Sequence, residues 1–243
     1  MTKEDKWLKQ RIGMITASEL GNITSASGKI IDGNIDFIRK VRWERNHGFS
    51  LPVFARVMEI GKQNEPMAIE WYRANYPERK IIYSQELPEI PFWTNPDVPN
   101  FGASPDAFTE DEEMVVEIKN AVGNSTIEFF FDPNTSYSEK MTRVVKEHID
   151  QILGQFISNP KVKIVRLVKY CAQNDDILED TDSPLAPWRG LVFDIEREGN
   201  EGIIEDMVKR IKLFNAFIAS DMNPSDMKKG VWEVDDEGNL HTK

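Results

Sequence analysis

The chain has 243 residues, of which 40% are hydrophobic, and it carries a formal net charge of −11. This length and apolar content suit a single large domain with a substantial core. The charge excludes broad, sequence-independent coating of nucleic acid, because DNA affinity comes largely from phosphate neutralisation by Lys and Arg, although a basic channel confined to a groove is compatible with it.

The cysteine and histidine content excludes several kinds of site. Cys171 is the one cysteine, so an internal disulfide, a thiolate zinc cage and a four-cysteine iron–sulfur cluster are excluded, and its apolar surroundings favour a buried strand thiol. The three histidines are widely separated and have no metal-binding spacing. No run of about 18 apolar residues and no signal-peptide core occurs, so we expect a soluble, cytoplasmic protein.

The N-terminal region is predicted to begin with a short helix at residues 7–11. Thr16, followed three residues later by Glu19, is typical of a capping box at the start of a second helix. The backbone amides at such a start, with Ser18 and Arg11, could bind a phosphate. Local capping and surface ion pairing would use the same two side chains.

Loops and two longer helices are expected next. Residues 25–28 and 31–34 are typical of loops, residues 35–46 predict a helix that ends near Gly48, and residues 56–76 predict another.

Pro66 is expected to kink or restart the helix at 56–76, because proline removes a backbone donor and restricts the preceding residue. Glu65 would then lie at a helix opening with its carboxylate free to turn inward. An exposed helical glutamate is the commoner arrangement.

The middle of the chain predicts an antiparallel meander of strands at residues 81–87, 92–93, 101–108 and 114–122, separated by prolines and a loop. Along the last strand side chains alternate between faces, so Glu117 and Lys119 point the same way. Asp106 follows a proline turn, with ten residues between it and Glu117, so the two carboxylates could lie at one end of a hairpin.

This acid–acid–lysine pattern is the most informative in the chain. Asp106, Glu117 and the backbone carbonyl of Ile118 would form a hard oxygen site of the kind that binds Mg²⁺ or Mn²⁺. Lys119 could orient or deprotonate an attacking water, or stabilise negative charge in a transition state. The solvated face of an ordinary hairpin would show the same alternation, so the pattern alone leaves both interpretations open.

The C-terminal half predicts two helices, two strands and a tail. In chain order these are a helix at 140–159, a strand at 164–171, an acidic surface loop at 175–188, a strand at 190–195, a helix at 203–220 and a polar, partly disordered tail at 221–243. Gln151 and Gln155 lie one turn apart on the first helix, where either could face a site or water. The predicted layout is α+β, with a central mixed sheet flanked by helices.

Six motifs occur in one order along the chain. They are Trp7 with Arg11, residues 15–19, residues 61–62 with Glu65, Pro66 and Ala68, residues 102–106, residues 117–119, and Gln151. Together they resemble the lambda-exonuclease-like, YqaJ-type viral recombinase nucleases of the PD-(D/E)XK superfamily. The resemblance implies a restriction-endonuclease-like fold and a single PD-(D/E)XK nuclease domain over residues 1–220.

The resemblance also implies a role for each matching residue. Asp106, Glu117, Glu65 and the Ile118 carbonyl would bind the metal, and Lys119 would be the catalytic lysine.

Three further residues match family positions outside this metal set. Gln151 is similar to the glutamine that closes the family motif behind the active site, and Arg11 and Ser18 are similar to the pair that holds a terminal 5′-phosphate.

The function implied is a Mg²⁺-dependent exonuclease, with Mn²⁺ as a substitute, that digests linear double-stranded DNA from 5′ ends toward 3′. It would leave 3′ single strands for a single-strand annealing protein in phage-type recombination, in the host cytoplasm if a phage encodes it. Some members form toroidal trimers, so a homotrimer is one expectation, and no membrane partner is expected. The alternatives are a PD-(D/E)XK endonuclease and a non-catalytic DNA-binding recombination protein.

Overall fold

The computed structural model describes residues 1–23, 29–50, 56–171, 183–235 and 237–242. The loop predicted at 25–28 and most of the loop predicted at 175–188 lie outside the described residues.

The described residues form helices and mostly short strands. The helices are α1 Lys3–Arg11, α2 Asp32–His47, α3 Arg56–Asn75, α4 Asn124–Phe131, α5 Tyr137–Ser158, α6 Glu201–Ala219 and α7 Pro224–Met227. The strands are β1 Ile15–Thr16, β2 Ile82–Tyr83, β3 Trp93–Thr94, β4 Phe101–Ala103, β5 Ala107–Phe108, β6 Met114–Ala121, β7 Ile164–Cys171, β8 Gly190–Glu196, β9 Trp232–Val234 and β10 Leu240–Thr242. Short 3₁₀ helices span Ala17–Asn22, Ser84–Glu86 and Pro187–Arg189.

The centre of the fold is a five-stranded sheet in the order β2-β5-β6-β7-β8. Only β6 and β7 of this sheet run parallel, and the other neighbours are antiparallel. Helix α3 packs on one face and α5 on the other. The predicted fold class, a central mixed sheet flanked by helices, is confirmed.

Strand β6 divides its side chains between these two helices. Val116 and Ile118 pack with Trp71 of α3, whereas Val115 belongs to the cluster that contains Phe156 of α5. Because strand side chains alternate, the acidic and basic residues at positions 117 and 119 lie on the α5 side. The site is therefore built between the sheet and α5.

The strand predicted at residues 101–108 is two strands in different sheets, so the single meander was wrong. β4 pairs with β1 and β3, and β5 pairs with β2 and β6. Pro105 separates them, because proline cannot donate to a ladder, and its carbonyl instead accepts a hydrogen bond from Ser84 Oγ at 2.6 Å. Ser84 also opens the 3₁₀ turn that limits the strand predicted at 81–87 to two residues.

Helix α2 begins earlier than predicted, within the proposed loop at 31–34. Asn34 Oδ1 accepts the Ile31 amide at 2.8 Å, and Asn34 Nδ2 donates to the Asn22 carbonyl at 2.7 Å, so this side chain anchors the helix start. The end of α2 near Gly48 is confirmed, with Gly48 in the left-handed conformation at φ 72°.

Helix α3 runs through Pro66 without restarting, so of the predicted kink or restart the restart is wrong. Its buried face, which includes Ala68, Trp71 and Tyr72, packs on the sheet, and this packing outweighs the lost backbone hydrogen bond. Helix α4 was missed, because its aromatic residues favour helix only weakly.

Within the segment predicted as a polar tail, residues 221–235 and 237–242 are described and include regular secondary structure. It contains α7 and the β9–β10 hairpin, with Met227 fully buried and the Trp232 ring 5.8 Å from the Phe217 ring, edge to face. Few apolar side chains anchor this segment, and its sequence gives no strong periodicity.

The packing of α5 on the 3₁₀ helix at 17–22 depends on Gly154. A Cβ there would lie 2.4 Å from Ala17 Cβ and 2.8 Å from Ala17 Cα. We expect Gly154→Ala to lower the free energy of unfolding by about 1–3 kcal/mol, since overpacking outweighs the roughly 1 kcal/mol gained in helix propensity. Urea unfolding measures the change.

The matched control is Gly202→Ala in α6, where nothing lies within 4 Å of the added Cβ. It is expected to be neutral or stabilising. Equal unfolding midpoints for the two variants would contradict the close approach at Gly154.

Candidate active site

One cavity of about 730 Å³ is lined by every residue that the sequence singled out for the site. These residues are Arg11, Ser18, Glu65, Asp106, Glu117, Ile118, Lys119 and Gln151. The walls come from α1, the 3₁₀ helix at 17–22, α3, the β4–β5 connection, β6, β7 and α5. The fold thus brings together residues more than a hundred positions apart.

The two acids of the hairpin lie opposite each other, as predicted. Ala107 pairs with Val116 in the antiparallel β5–β6 ladder, which places the preceding Asp106 beside Glu117. Asp106 Oδ2 accepts the backbone amide of Ile118 at 2.7 Å. This bond fixes one carboxylate oxygen of a residue that lines the cavity.

The Glu117 carboxylate is held by three side-chain donors. Its Oε1 accepts Lys119 Nζ at 2.9 Å and Gln151 Nε2, and its Oε2 accepts Gln155 Nε2 at 2.9 Å. Glu117 is only 2% exposed, so these bonds replace its lost hydration. Gln155, whose role the sequence left open, faces the site because it lies one turn beyond Gln151 on the same side of α5.

The carboxylates strongly influence each other's protonation. Burial, together with the charges of Glu117 and Glu65, raises the pKa of Asp106 well above its usual range. Burial lowers the pKa of Lys119, but the charges of Glu117 and Asp106 outweigh it and the net pKa is raised. Lys119 therefore keeps its proton, and the site concentrates negative charge that a cation would relieve.

Glu65 turns into the cavity, although an exposed helical glutamate was the commoner expectation. Tyr83 Oη donates to Glu65 Oε1 at 3.0 Å. Burial raises the pKa of Glu65, and the Tyr83 hydrogen bond opposes that rise. Tyr83 was not identified from the sequence, because its position in the short β2 strand gave no signal for a contact with α3.

Arg11 ends α1 at one side of the cavity. Its guanidinium carbon lies 4.3 Å from the centroid of the Trp7 ring, and Trp7 Nε1 donates to Ser104 Oγ at 2.7 Å. Burial lowers the pKa of Arg11, while the charges of Glu19 and another glutamate oppose that effect. The stacked indole therefore fixes the direction of a partly buried cation.

Ser18 lies exposed at the same corner, 3.2 Å from Thr16 Oγ1. The capping box predicted for Thr16 and Glu19 was wrong, because Thr16 Oγ1 donates to the Glu19 carboxylate at 2.7 Å and makes no cap hydrogen bond. The segment forms a 3₁₀ helix, whose tighter turns change the alignment of the first amides.

The oxygen atoms at the end of the hairpin suit a hard divalent cation, but only a few of them are available as ligands. No cluster of three or more His, Cys, Asp or Glu side chains within metal-binding reach occurs among the described residues. Each carboxylate oxygen offers two lone pairs, so Asp106 Oδ1 is free, and Glu117 Oε2 has one lone pair left. With the Ile118 carbonyl, this is an oxygen set of the type that binds Mg²⁺ through a few protein ligands and water.

The chain matches the YqaJ-like viral recombinase domain family over residues 6–158. It is similar in structure to the alkaline exonuclease LHK-Exo from Laribacter hongkongensis, with a TM-score of 0.61 and 19% identity over 93% of this chain and 95% of that one. A second structure of LHK-Exo, in complex with dAMP, has a TM-score of 0.60 and 19% sequence identity to this chain, with the same coverage of both chains. A phage-related exonuclease from Haemophilus somnus 129PT has a TM-score of 0.59 and 16% sequence identity, over 86% of this chain and 96% of that one.

At these identities the solved structures show a shared fold. No curated protein gave a significant match. Among the helices of the described residues, none is long and apolar enough to cross a membrane.

Proposed function

This chain belongs to the YqaJ-like viral recombinase family, and from that membership we propose that it is a Mg²⁺-dependent exonuclease acting on double-stranded DNA. It would digest linear duplexes from 5′-phosphorylated ends toward 3′ and leave 3′ single strands for recombination by strand annealing. The observation that carries the proposal is the shared cavity, in which the acid–acid–lysine set and the Arg11–Ser18 corner both lie.

Asp106, Glu117 and the Ile118 carbonyl would hold the metal with hard oxygens at the end of the β5–β6 hairpin. Glu65 lines the same cavity from α3, and its side chain would have to move toward the other two carboxylates to join them. Bound Mg²⁺, or Mn²⁺ in its place, would polarise the phosphate and lower the pKa of a coordinated water. Gln151 and Gln155 hold Glu117 in one orientation, and Tyr83 does the same for Glu65.

Lys119 supports transition-state stabilisation more than base catalysis. Without metal, the charges of Glu117 and Asp106 outweigh burial and raise its pKa, and its ammonium donates to Glu117 Oε1 at 2.9 Å, where it would place a positive charge against the negative charge that develops on the scissile phosphate. A lysine acting as general base would need a pKa lowered toward neutrality. Of the two roles that the sequence left open, the charge-stabilising one is therefore favoured.

The Arg11–Ser18 corner supports 5′ polarity. A guanidinium and a hydroxyl at the cavity edge offer donors to a terminal phosphate. Hydrolysis that breaks the bond to the 3′ oxygen releases a nucleotide and leaves a new 5′-phosphate on the shortened strand. Each cycle would thus regenerate the group that this corner binds.

The partners are part of the same proposal. The 3′ strand would pass to a single-strand annealing protein, and a homotrimer would encircle the duplex and keep it bound between cycles. Light scattering on the purified protein, with and without duplex, tests the trimer separately from the chemistry.

The decisive assay compares three substrates with Mg²⁺ and with chelator. These are linear duplex with 5′-phosphate ends, the same duplex with 5′-hydroxyl ends, and a covalently closed circle. We expect Mg²⁺-dependent loss of the phosphorylated linear duplex and an untouched circle. Cutting of the circle would instead indicate an endonuclease, and binding without hydrolysis a non-catalytic recombination protein.

Arg11→Ala is expected to remove the preference for 5′-phosphate ends. A hydrogen bond to a charged group contributes about 1.5–3 kcal/mol, so digestion of phosphorylated ends should slow by roughly 10- to 100-fold, with little change on hydroxyl ends. Initial rates on the two linear substrates measure the ratio. Arg39→Ala is the control, because Arg39 is exposed on α2 and pairs with Asp36; an unchanged ratio in Arg11→Ala would contradict the assigned corner.

A further inference from the structure

Besides Lys119 and Lys62, the active-site cavity is lined by a lysine of the central sheet that has no part in the chemistry described above. Lys169 of β7 is in register with Lys119 of β6 in the parallel ladder. Neighbouring strands lie about 4.8 Å apart and paired residues face the same side, so both ammonium groups are on the α5 side of the sheet. Lys169 is only 4% exposed, yet it lines the cavity.

The contacts of Lys169 leave its charge incompletely neutralised. Its Nζ is 3.4 Å from Glu147 Oε2 and 3.3 Å from His148 Nε2, both longer than the roughly 2.7–2.9 Å of a strong charge-assisted hydrogen bond. Glu147 is shared, because Arg143 Nε donates to its Oε1 at 2.7 Å. Its Nζ also lies 4.7 Å from the centroid of the Phe130 ring.

His148 adds no positive charge and offers an acceptor. Burial, with the charges of Lys169 and Lys119, lowers its pKa to about 4, so the ring is neutral at physiological pH. A neutral ring with one nitrogen free as acceptor can orient the Lys169 ammonium. Lys169 has three N–H donors, which leaves donor capacity for a ligand that enters the cavity.

Stability alone is a poor reason for this lysine. Desolvating a charge costs several kcal/mol, and replacing a buried ion pair by an apolar residue of similar volume is often neutral or stabilising. A buried cation that faces a cavity is a candidate for a ligand contact.

Strand order indicates which ligand atom Lys169 would meet. Across the sheet, Asp106 precedes β5, Glu117 and Lys119 lie on β6, and Lys169 lies on β7, the next strand. The Trp7 indole that stacks on Arg11 contacts Ser104, which lies on the β4–β5 connection at the opposite side. A DNA strand whose 5′ end lies at the Arg11 corner and that runs past the acids therefore reaches Lys169 after its scissile phosphate.

We infer that Lys169 binds the DNA phosphate that follows the scissile one in the 3′ direction, with His148 as the positioning residue that orients its ammonium. This inference rests on the proposed function. The contact would fix the strand against sliding while the preceding bond is hydrolysed. It gives the cavity a substrate contact that does not depend on the metal.

The test is DNA binding in chelator, measured by fluorescence anisotropy of a 5′-phosphorylated duplex between about 50 and 200 mM salt. Lys169→Met is expected to weaken binding by about tenfold and to reduce the slope of log K against log salt by about one, and Lys169→Arg to restore much of both. Lys161→Met is the matched control, because Lys161 also pairs with one glutamate, at 3.0 Å, but is exposed outside the cavity. It should leave the slope unchanged.

Thermal unfolding separates a structural role from a binding role. If Lys169 served packing alone, Lys169→Met would lower the melting temperature and leave the salt slope of the folded fraction unchanged, which would overturn the inference. Should Lys169→Met fail to fold, Lys169→Gln is used in its place, because glutamine retains a donor for His148 without the charge. The same salt slope then decides whether Lys169 binds DNA. Wild-type protein that digests no DNA would refute the proposed function, whereas wild-type digestion with an unchanged slope in the variant refutes only the role of Lys169.

Discussion

Lys119→Ala is expected to lower the rate of DNA cleavage by about 10³-fold while the protein still binds duplex DNA. Removing one preorganised donor from a site that stabilises developing charge typically costs about 10²–10³ in rate, and a full positive charge is lost here. Lys119 also neutralises Glu117, to which it donates at 2.9 Å, so the geometry of a carboxylate proposed to bind the metal is disturbed as well. Single-turnover cleavage of a 5′-phosphorylated duplex measures the effect without product release.

Folding must be checked in the same variant. Removing one partner of a buried ion pair can cost about 3–5 kcal/mol, but Gln151 and Gln155 still donate to the Glu117 carboxylate and reduce that penalty. The melting temperature of Lys119→Ala in Mg²⁺ is therefore measured together with its cleavage rate. Lys163→Ala is the control, since Lys163 is an exposed lysine that pairs with Glu113 outside the cavity. Cleavage by folded Lys119→Ala at a rate near that of wild type would contradict the assignment.

The core of the site could be predicted from the sequence because it depends on short-range geometry. Strand alternation places Glu117 and Lys119 on one face whatever surrounds them, and a short hairpin brings Asp106 beside them. Gln151 and Arg11 required the resemblance to a family, since each reaches the cavity from a helix far away along the chain.

The errors have a different physical origin. Thr16 and Glu19 have capping-box spacing, but their side chains bond to each other because the segment packs as a 3₁₀ helix against α5. Pro66 stays within a continuous helix because the sheet holds the face that follows it. In both places tertiary packing overrides a local preference, and no local pattern reports that packing.

Tyr83 and Gln155 were not assigned for a related reason. Each supports a carboxylate, Tyr83 that of Glu65 and Gln155 that of Glu117, and each contact joins two separate elements. Residues that support others carry no motif of their own. Their positions follow only once the sheet order and the face of α5 are known.

Asp106→Asn is expected to abolish cleavage and, in chelator, to stabilise the protein. Asparagine has the same shape, and its carbonyl oxygen can still accept the Ile118 amide, which Asp106 now accepts at 2.7 Å. It removes a negative charge from a site where burial and two further carboxylates raise the pKa of Asp106. The wild-type residue is thus costly to stability in the absence of a cation, as is common for catalytic groups.

The sign of the pH dependence follows from the raised pKa. The unfolded pKa of an aspartate is about 3.9, so between that value and the higher folded pKa the folded protein binds more protons than the unfolded one. The contribution of Asp106 to stability is therefore largest below about pH 4 and falls as pH rises through this interval. Glu65, whose pKa is also raised, adds to the same trend.

The measurement is the difference in unfolding free energy between Asp106→Asn and wild type, in chelator, from pH 5 to pH 8. This difference should grow in favour of the variant as pH rises, whereas exposed Asp97→Asn should show no such growth. Added Mg²⁺ should reverse the order, because a ligand at 100 times its Kd stabilises the folded state by about 2.7 kcal/mol and only the wild type retains the full ligand set. A variant that Mg²⁺ stabilises as much as wild type would place the metal elsewhere, because the carboxylate that binds it would then be dispensable.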